Sequence, residues 1–220
     1  MFELGDWVHA ERRRVSRRFT EALAVAAELH AGQRRKGSDV PYVAHLLGVT
    51  AIAFEYGADE PTAIGALLHD AIEDAPRSLG AEGVRDLIRT RFGPEVLAIV
   101  EGCTDSDVQP RPPWRARKRA YIDRVATVVP GALLVSASDK LHNVRAILAD
   151  FLQIGDAVWA RFSPDAGKSG TIGYYRGLVD AFRARRADGP GQFPRLVDDL
   201  DATLADLERH AGERGTWPPA

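Results

Sequence analysis

The chain has 220 residues, of which 45% are hydrophobic, and 29 basic and 31 acidic residues give it a formal net charge of −2. This length and composition are typical of one globular domain with a sizeable core, and the charge balance argues against a broad basic surface for nucleic acid. A single cysteine, Cys103, excludes an internal disulfide and a cysteine-based zinc site.

Apolar residues recur at helical spacing along most of the chain, without the alternation of strands or the turns of hairpins. Gly32, Gly57 and the pair Gly93–Pro94 mark helix ends, and residues 104–113 have the composition of a loop. The sequence therefore predicts an all-α fold built as a helical bundle. The predicted helices cover residues 19–33, 42–57, 59–74, 81–93, 94–104, 114–129, 132–152, 173–185 and 195–211.

The pattern divides the chain into three segments. Residues 1–19 form an N-terminal basic segment, whose run ERRRVSRR we interpret as a solvated helix face. Residues 20–186 form the main domain, and residues 187–220 form a C-terminal helix and tail that we expect to pack on it. No segment resembles a signal peptide or approaches the roughly 20 apolar residues that span a bilayer. We therefore expect a cytoplasmic protein that binds neither membranes nor nucleic acid, with its oligomeric state left open.

The stretch GALLHDAIEDAP at residues 65–76 combines an aliphatic helix face with an unusual polar one. At about 100° per residue, His69, Asp70, Glu73 and Asp74 all fall opposite the aliphatic stripe. His69 and Asp70 can therefore flank a metal ion, with two carboxylates one turn further along. An ordinary solvated acidic face is the alternative interpretation of the same pattern.

Two further helices carry a polar residue where an apolar pattern is interrupted, namely His45 and Asp139. Because one helix cannot enclose a metal ion, these residues are the candidates to complete the ligand set. Two imidazoles and two carboxylates suit manganese, iron or zinc and leave positions open for water and substrate. A satisfied structural histidine and a surface ion pair are the alternatives for each residue taken alone.

Four segments resemble, in the same order, the hydrolase domain of the RelA/SpoT alarmone enzymes, which belongs to the HD phosphohydrolase superfamily. The segments are HAGQRRKGSDVPYVAHLL, AIGALLHDAIED, FGPEVLAIVEGCT and SASDKLHNVRAI. The similarity covers roughly residues 20–185, and no synthetase, TGS or ACT segment follows it. The chain is thus similar to a stand-alone small alarmone hydrolase, which implies an HD-domain helical bundle with one manganese ion.

This resemblance also assigns roles to individual residues. It places His45, His69, Asp70 and Asp139 at the metal positions. It places Glu73 and Asp74 where the family orients and activates the attacking water, and we favour Glu73 as the acid/base group. The candidates for substrate binding are Arg35, Lys36, Arg115, Lys118, Asn143, Lys168 and Tyr175.

The substrate-binding candidates differ in what they are expected to contact. Arg35 and Lys36 match a pair on the base and ribose side of the nucleotide, and Asn143 matches a residue near the scissile phosphate. Arg115 and Lys118 lie in a segment that we expect to act as a lid and to hold the 5′-phosphates. Lys168 and Tyr175 are expected to contact phosphate and to line the nucleotide pocket, respectively. Ala146 stands where the family often has threonine.

The activity that the resemblance implies is metal-dependent removal of the 3′-pyrophosphate from guanosine 3′,5′-bis(diphosphate), giving GDP or GTP and pyrophosphate. Two alternatives stay open at this point. The same site could act on another nucleotide, such as a ppApp-type alarmone or the 2′-phosphate of NADPH. The fold could also serve as a binding module that senses the alarmone without hydrolysing it.

Overall fold

The computed structural model describes residues 15–108 and 110–217. Within these ranges the chain forms eight α-helices and one 3₁₀ helix, and an isolated β-bridge joins Arg34 to Pro41. The all-α prediction is confirmed. The α-helices are α1 (Arg17–Leu29), α2 (Val43–Glu55), α3 (Glu60–Leu68), α4 (Gly80–Cys103), α5 (Trp114–Arg124), α6 (Pro130–Ile154), α7 (Gly167–Ala184) and α8 (Phe193–Ala211), and the 3₁₀ helix spans Gly155–Arg161.

Local sequence signals explain where several helices begin and end. The Ser16 hydroxyl accepts a hydrogen bond from the Arg18 amide at 3.1 Å and caps α1. The Asp59 carboxylate caps α3 in the same way, through the Thr62 amide at 3.0 Å. Gly93, at φ 84° and ψ 170°, kinks α4 into two halves at the predicted break, because glycine tolerates this backbone conformation.

One clear difference from the predicted helices lies at the end of α3. The prediction extends this helix to residue 74, whereas α3 ends at Leu68 and the backbone continues through residue 74 in turns. His69 Nδ1 donates a hydrogen bond of 2.8 Å to the Ala66 carbonyl, which would accept from the Asp70 amide in a continuing helix. The side chain of His69 thus takes over a backbone acceptor at the helix end.

The helix α6 is the centre of the bundle, and α2, α3, α4 and α8 all pack against it. Every residue from Ala132 to Leu141 is buried, so this part of α6 is enclosed on all sides. Its polar residues, including Asp139 and Lys140, are consequently held in the protein interior. No helix in the described ranges has the length and apolar character needed to cross a membrane.

The core consists of two hydrophobic clusters that meet at α2 and α3. Leu46 of α2 and Leu67 of α3 belong to the cluster built on α1–α4. Val49 and Ala66, on the same two helices, belong to the cluster built mainly on α6, α7 and α8. Side chains at this boundary can therefore approach α6 from two directions.

Most of the predicted basic segment, residues 1–14, lies outside the described residues.

Truncating Leu204 tests whether the C-terminal helix is part of the same core. Leu204 of α8 is fully buried in the cluster that contains Leu134 of α6. We expect Leu204→Ala to lower the free energy of unfolding by about 2–5 kcal/mol, measured by urea denaturation with one cooperative transition. Leu152→Ala is the control, because Leu152 is 60% exposed, and it should change stability by less than about 0.5 kcal/mol. An unchanged midpoint for Leu204→Ala would show that α8 folds separately.

Candidate active site

Three helices bring the four predicted metal ligands together at the boundary between the two clusters. His45 lies on α2, the pair His69 and Asp70 follows α3, and Asp139 lies on α6. One ligand atom each from His45, His69 and Asp70 falls within 4.8 Å of the others. Asp139 Oδ1 lies 3.3 Å from His45 Nε2 and 3.8 Å from His69 Nε2. The predicted set is thus a compact group in the structure, and we call it the His/Asp cluster.

The orientation of His69 is set by the end of α3. Since Nδ1 donates to the Ala66 carbonyl, the imidazole turns its Nε2 atom toward Asp70 Oδ2, at 3.1 Å, and toward Asp139. This Nε2 atom is buried and has no well-directed hydrogen-bond partner among the described residues. A buried nitrogen that faces carboxylates and lacks a hydrogen-bond partner is suited to ligate a metal ion.

His45 is oriented by a second imidazole, that of His142. The Nδ1 atoms of the two rings lie 3.0 Å apart, so one of them donates a hydrogen bond to the other. Burial, His45 and Arg35 lower the pKa of His142 to about 4, which keeps this ring neutral and able to accept from His45. A Cβ atom at Gly48 would collide with His142 Nε2, so the glycine of α2 makes room for the ring. His45 Nε2 is thereby left to face the cluster.

The two carboxylates of the cluster are held by neutral and positive donors. The Tyr42 hydroxyl donates to Asp70 Oδ2 at 2.5 Å. Lys140 Nζ donates to Asp139 Oδ2 at 2.5 Å, and Asn143 Nδ2 donates to Asp139 Oδ1 at 2.5 Å. Each carboxylate therefore has a fixed orientation and still points an oxygen atom at the histidines.

The pKa values of these groups follow from burial and from their charged neighbours. Burial opposes ionisation of Asp70 and Asp139, but His69 and Lys140, respectively, hold the pKa of each carboxyl below its usual range. Burial also opposes protonation of His69, yet the two carboxylates outweigh it and raise its pKa to about 9. Burial lowers the pKa of His45, so this imidazole stays neutral near pH 7.

The cluster meets the chemical requirements of a divalent cation site. It offers two imidazole nitrogens and two ionised carboxylates, and the second nitrogen of each histidine has a hydrogen-bond partner. Such outer hydrogen bonds fix the ring orientation and the tautomer that binds a metal. The orphaned Nε2 atom of His69 is the observation that most directly supports this fit.

The two carboxylates that follow the cluster are placed differently. Glu73 lines the same cavity as His45, Asp70 and Asp139, and burial together with the charge of Asp70 raises its pKa. Asp74 is exposed, and its carboxylate accepts a hydrogen bond from Gln33 Nε2 at 2.8 Å. Of the predicted catalytic pair, the structure thus brings Glu73 into the cavity and turns Asp74 toward a surface loop.

Four of the predicted substrate-binding residues surround a neighbouring cavity of about 230 Å³. Arg35 donates to the side-chain oxygen of Asn143 at 2.8 Å, and both residues also line the cavity of the His/Asp cluster. Tyr175 is buried between the two cavities and lines both. Lys36 reaches the rim, with Nζ 5.8 Å from the centre of the Phe162 ring. The two cavities therefore share a wall, which places a second binding region directly beside the cluster.

The three remaining basic candidates for substrate binding lie in different environments. Lys118 lines the cavity of the His/Asp cluster, where it lies 3.2 Å from Asp105 Oδ2. Burial and the nearby Lys140 lower its pKa to about 7. Arg115 is exposed and lines neither cavity, and Lys168 instead pairs with Asp156 at 3.0 Å.

Residues 22–172 match the family model of the HD domain, which amounts to more than half of the chain. The chain belongs to the HD-domain family. An HD domain implies a divalent-metal site, and His45, His69 and Asp70 form a group that could hold one. The family assignment that the four sequence segments suggested is therefore confirmed.

The relatives of this HD domain include enzymes of alarmone metabolism. It is 37% identical over 128 residues to human guanosine-3′,5′-bis(diphosphate) 3′-pyrophosphohydrolase MESH1, an alignment that covers 57% of this chain and 66% of the human protein. It is 36% identical over 137 residues to a GTP pyrophosphokinase of Streptomyces coelicolor, covering 60% of this chain and 15% of that protein. The chain thus spans just under two thirds of the human relative and a small part of the bacterial one.

A solved structure also matches this HD domain over most of its length. It belongs to a protein described as a metazoan ortholog of SpoT that hydrolyzes ppGpp. The TM-score is 0.66 at 27% sequence identity, and the match covers 88% of this chain and 97% of the other. The helical arrangement described above is therefore shared with that protein.

Several residues of the site were not predicted from the sequence of this HD domain. His142 directly precedes the predicted Asn143, and Tyr42 lies three positions before His45, so both stand inside segments that carry the family resemblance. The available signal was their position in the sequence, since each lies three residues from a predicted metal ligand, His142 from Asp139 and Tyr42 from His45. Asp105, whose carboxylate binds Arg117 and Lys118, lies in a loop without periodicity and offered no such signal.

Asp70→Asn tests the ligand assignment in this HD domain. We expect the variant to lose bound divalent cation during dialysis under conditions where the wild type retains it, because an amide replaces an anionic ligand. The metal content, measured by mass spectrometry after loading with Mn²⁺, is the readout. Asp198→Asn is the matched control, since Asp198 lies on α8 in an exposed ion pair with Arg186. Wild-type occupancy in Asp70→Asn would remove this residue from the ligand set.

Proposed function

We propose that this HD domain is a manganese-dependent hydrolase that removes the 3′-pyrophosphate of guanosine 3′,5′-bis(diphosphate). The observation that carries the proposal is the shared wall between the His/Asp cluster and the neighbouring cavity, formed by Arg35, Asn143 and Tyr175. A nucleotide can place a 3′-phosphate group at the cluster and its base in the cavity. The activity named for the human relative and for the solved structure supports the same substrate.

The residues that would hold the cation are His45, His69, Asp70 and Asp139. When bound, a divalent cation supplies Lewis-acid charge beside the reacting phosphate and makes a water molecule more acidic. Manganese is our choice because the mixed nitrogen and oxygen ligands suit it and because the resemblance to RelA/SpoT-type hydrolases implies it.

Glu73 is the residue best placed to take the proton of the attacking water. It lines the cavity of the cluster, and its raised pKa brings it closer to the neutral range in which a general base works well. The Asp105 amide donates to one Glu73 oxygen at 3.2 Å, and Arg111 donates to the other. We assign Asp74 a secondary, electrostatic role, because its carboxylate is exposed and bound to Gln33.

The reaction balances as a simple hydrolysis. The water oxygen forms a bond to the phosphorus atom attached to O3′, while Glu73 accepts a proton. The bond between that phosphorus and O3′ breaks, O3′ takes up a proton from solvent, and Glu73 then releases its proton to solvent. The products are pyrophosphate and a nucleoside with a free 3′-hydroxyl, which is GDP from ppGpp and GTP from pppGpp. Arg35 and Asn143 would orient the sugar and phosphate, and Lys118 would offset charge on the pyrophosphate group that the water attacks.

A turnover assay tests the proposal directly. The purified protein is incubated with ppGpp, pppGpp, ppApp or NADPH, in Mn²⁺ or in EDTA, and the products are resolved by ion exchange. We expect pyrophosphate release from ppGpp and pppGpp that is abolished by EDTA. Release of phosphate from NADPH, with no pyrophosphate release from the alarmones, would instead identify NADPH as the substrate. Tight binding of ppGpp without turnover in saturating Mn²⁺ would instead favour the binding module.

Glu73→Gln tests the assignment of the general base. We expect the variant to lower kcat by about 10²–10⁴-fold while binding of Mn²⁺ and of GDP stays close to the wild-type level. Asp74→Asn provides the comparison, and it should lower kcat by a smaller factor, since its side chain lies outside the cavity. The acid limb of the pH–rate profile should disappear in Glu73→Gln, because the group that loses activity on protonation is gone. Equal losses in the two variants would contradict the assignment.

A further inference from the structure

The cavity beside the His/Asp cluster contains one acidic residue among the described residues that line it. This residue is Asp150, in the last part of α6. Apolar or aromatic side chains form much of the remaining wall, namely Ala146, Ile147, Val158 and Phe162. Arg35, Lys36, Asn143 and Arg161 add hydrogen-bond donors to the same wall, and Asp150 adds a carboxylate acceptor that can fix the orientation of a ligand.

Asp150 does not stand alone, because Arg161 donates a hydrogen bond to one of its oxygens. Arg161 ends the 3₁₀ helix and lines the same cavity. Its side chain lies across Gly37, where a Cβ atom would approach Arg161 Cδ to 2.7 Å. Gly37 has φ 76°, so the loop after Arg35 and Lys36 is shaped to pass beneath this arginine. The pair thus presents two acceptor oxygens and, next to them, a donor group.

This arrangement of hydrogen-bond acceptors and donors matches guanine and does not match adenine. The Watson–Crick edge of guanine carries two neighbouring donors, N1–H and the N2 amino group, followed by the O6 acceptor. The same edge of adenine carries an acceptor, N1, where guanine has a donor. A carboxylate can accept both guanine donors, whereas it repels the N1 lone pair of adenine, since an ionised carboxylate only accepts.

We propose that Asp150 and Arg161 read the Watson–Crick edge of a guanine base and make this site selective for guanosine over adenosine nucleotides. The inference rests on the proposed function, because that function brings the base of the nucleotide into this cavity. Phe162 and Ile147 supply faces on which the two rings can pack. Asp150 Oδ2 is held by Arg161, and the carboxylate retains lone pairs for N1–H and the amino group.

Base selectivity can be measured without turnover, by titrating the protein with GDP, IDP and ADP in a calorimeter. Hypoxanthine in IDP keeps N1–H and O6 and lacks the amino group. We expect GDP to bind about ten- to a hundredfold more tightly than ADP, with IDP between them. Equal affinities for GDP and ADP in the wild-type protein would overturn the inference.

Asp150→Asn identifies the residue responsible. Its amide keeps the shape of the side chain and replaces one acceptor with a donor. We expect GDP affinity to fall about ten- to a hundredfold, while ADP affinity is unchanged or rises, because an amide can pair with the donor and acceptor of adenine. Asp198→Asn, which alters the exposed pair of Asp198 on α8 with Arg186 in the turn after α7, is the matched control and should leave both affinities unchanged. Equal losses for GDP and ADP in Asp150→Asn would assign Asp150 a structural role only.

The hydrolysis panel then separates the two proposals. Hydrolysis of ppGpp and ppApp at equal kcat/KM would leave the proposed chemistry standing and reject the role of Asp150. If the protein hydrolyses neither alarmone but prefers GDP in a way that depends on Asp150, the result would support recognition of guanine by Asp150 and reject the proposed reaction.

Discussion

The structure depends on keeping ionised carboxylates inside a helical core. Asp139 lies in the fully buried part of α6, between Ser138 and Lys140, and its side chain is only 9% exposed. Burying an unpaired carboxylate at such a position would cost several kcal/mol. Lys140, Asn143 and the two histidines of the cluster offset this cost through hydrogen bonds and charge. The packing of α2 and α3 against α6 is what brings these two histidines to Asp139.

The helices themselves could be predicted from the sequence because apolar spacing and glycine determine them locally. Gly57 and Gly93 adopt positive φ angles at the ends or breaks that their positions indicated. The end of α3 could not be predicted in the same way. It depends on the side chain of His69, which bonds the Ala66 carbonyl while its Nε2 atom faces the Asp70 carboxylate. A periodicity argument contains no information about such a tertiary constraint.

The site likewise contains residues that could be predicted from the sequence and residues that could not. The order of His45, His69–Asp70 and Asp139 along the chain was sufficient to select the group that the fold brings together. The positions of the basic side chains were harder to predict, because a flexible side chain in a basic segment has several possible partners. Lys118 points into the cavity of the cluster and Arg115 to solvent, although they lie three residues apart on α5. Contacts made by Lys118 with Asp105, in a loop without periodicity, and with the Tyr174 ring distinguish the two residues, and neither contact could be read from the sequence.

Under the proposed function, the charge of the cluster would link the binding of a cation to the binding of an anionic substrate. Near neutral pH, Asp70 and Asp139 are ionised, and His69 and Lys140 carry protons, so these four groups sum to about zero. A divalent cation must displace the proton on His69 Nε2, and the exchange leaves the cluster with one additional positive charge.

That added charge lies beside Lys118, whose pKa of about 7 is lowered by burial and by Lys140. Under the proposed function, a bound cation would make a proton on Lys118 still less favourable, and a phosphate group of the substrate would offset both positive charges and favour the protonated lysine. Cation, substrate and the Lys118 proton would therefore be coupled by Coulomb interactions within one cavity.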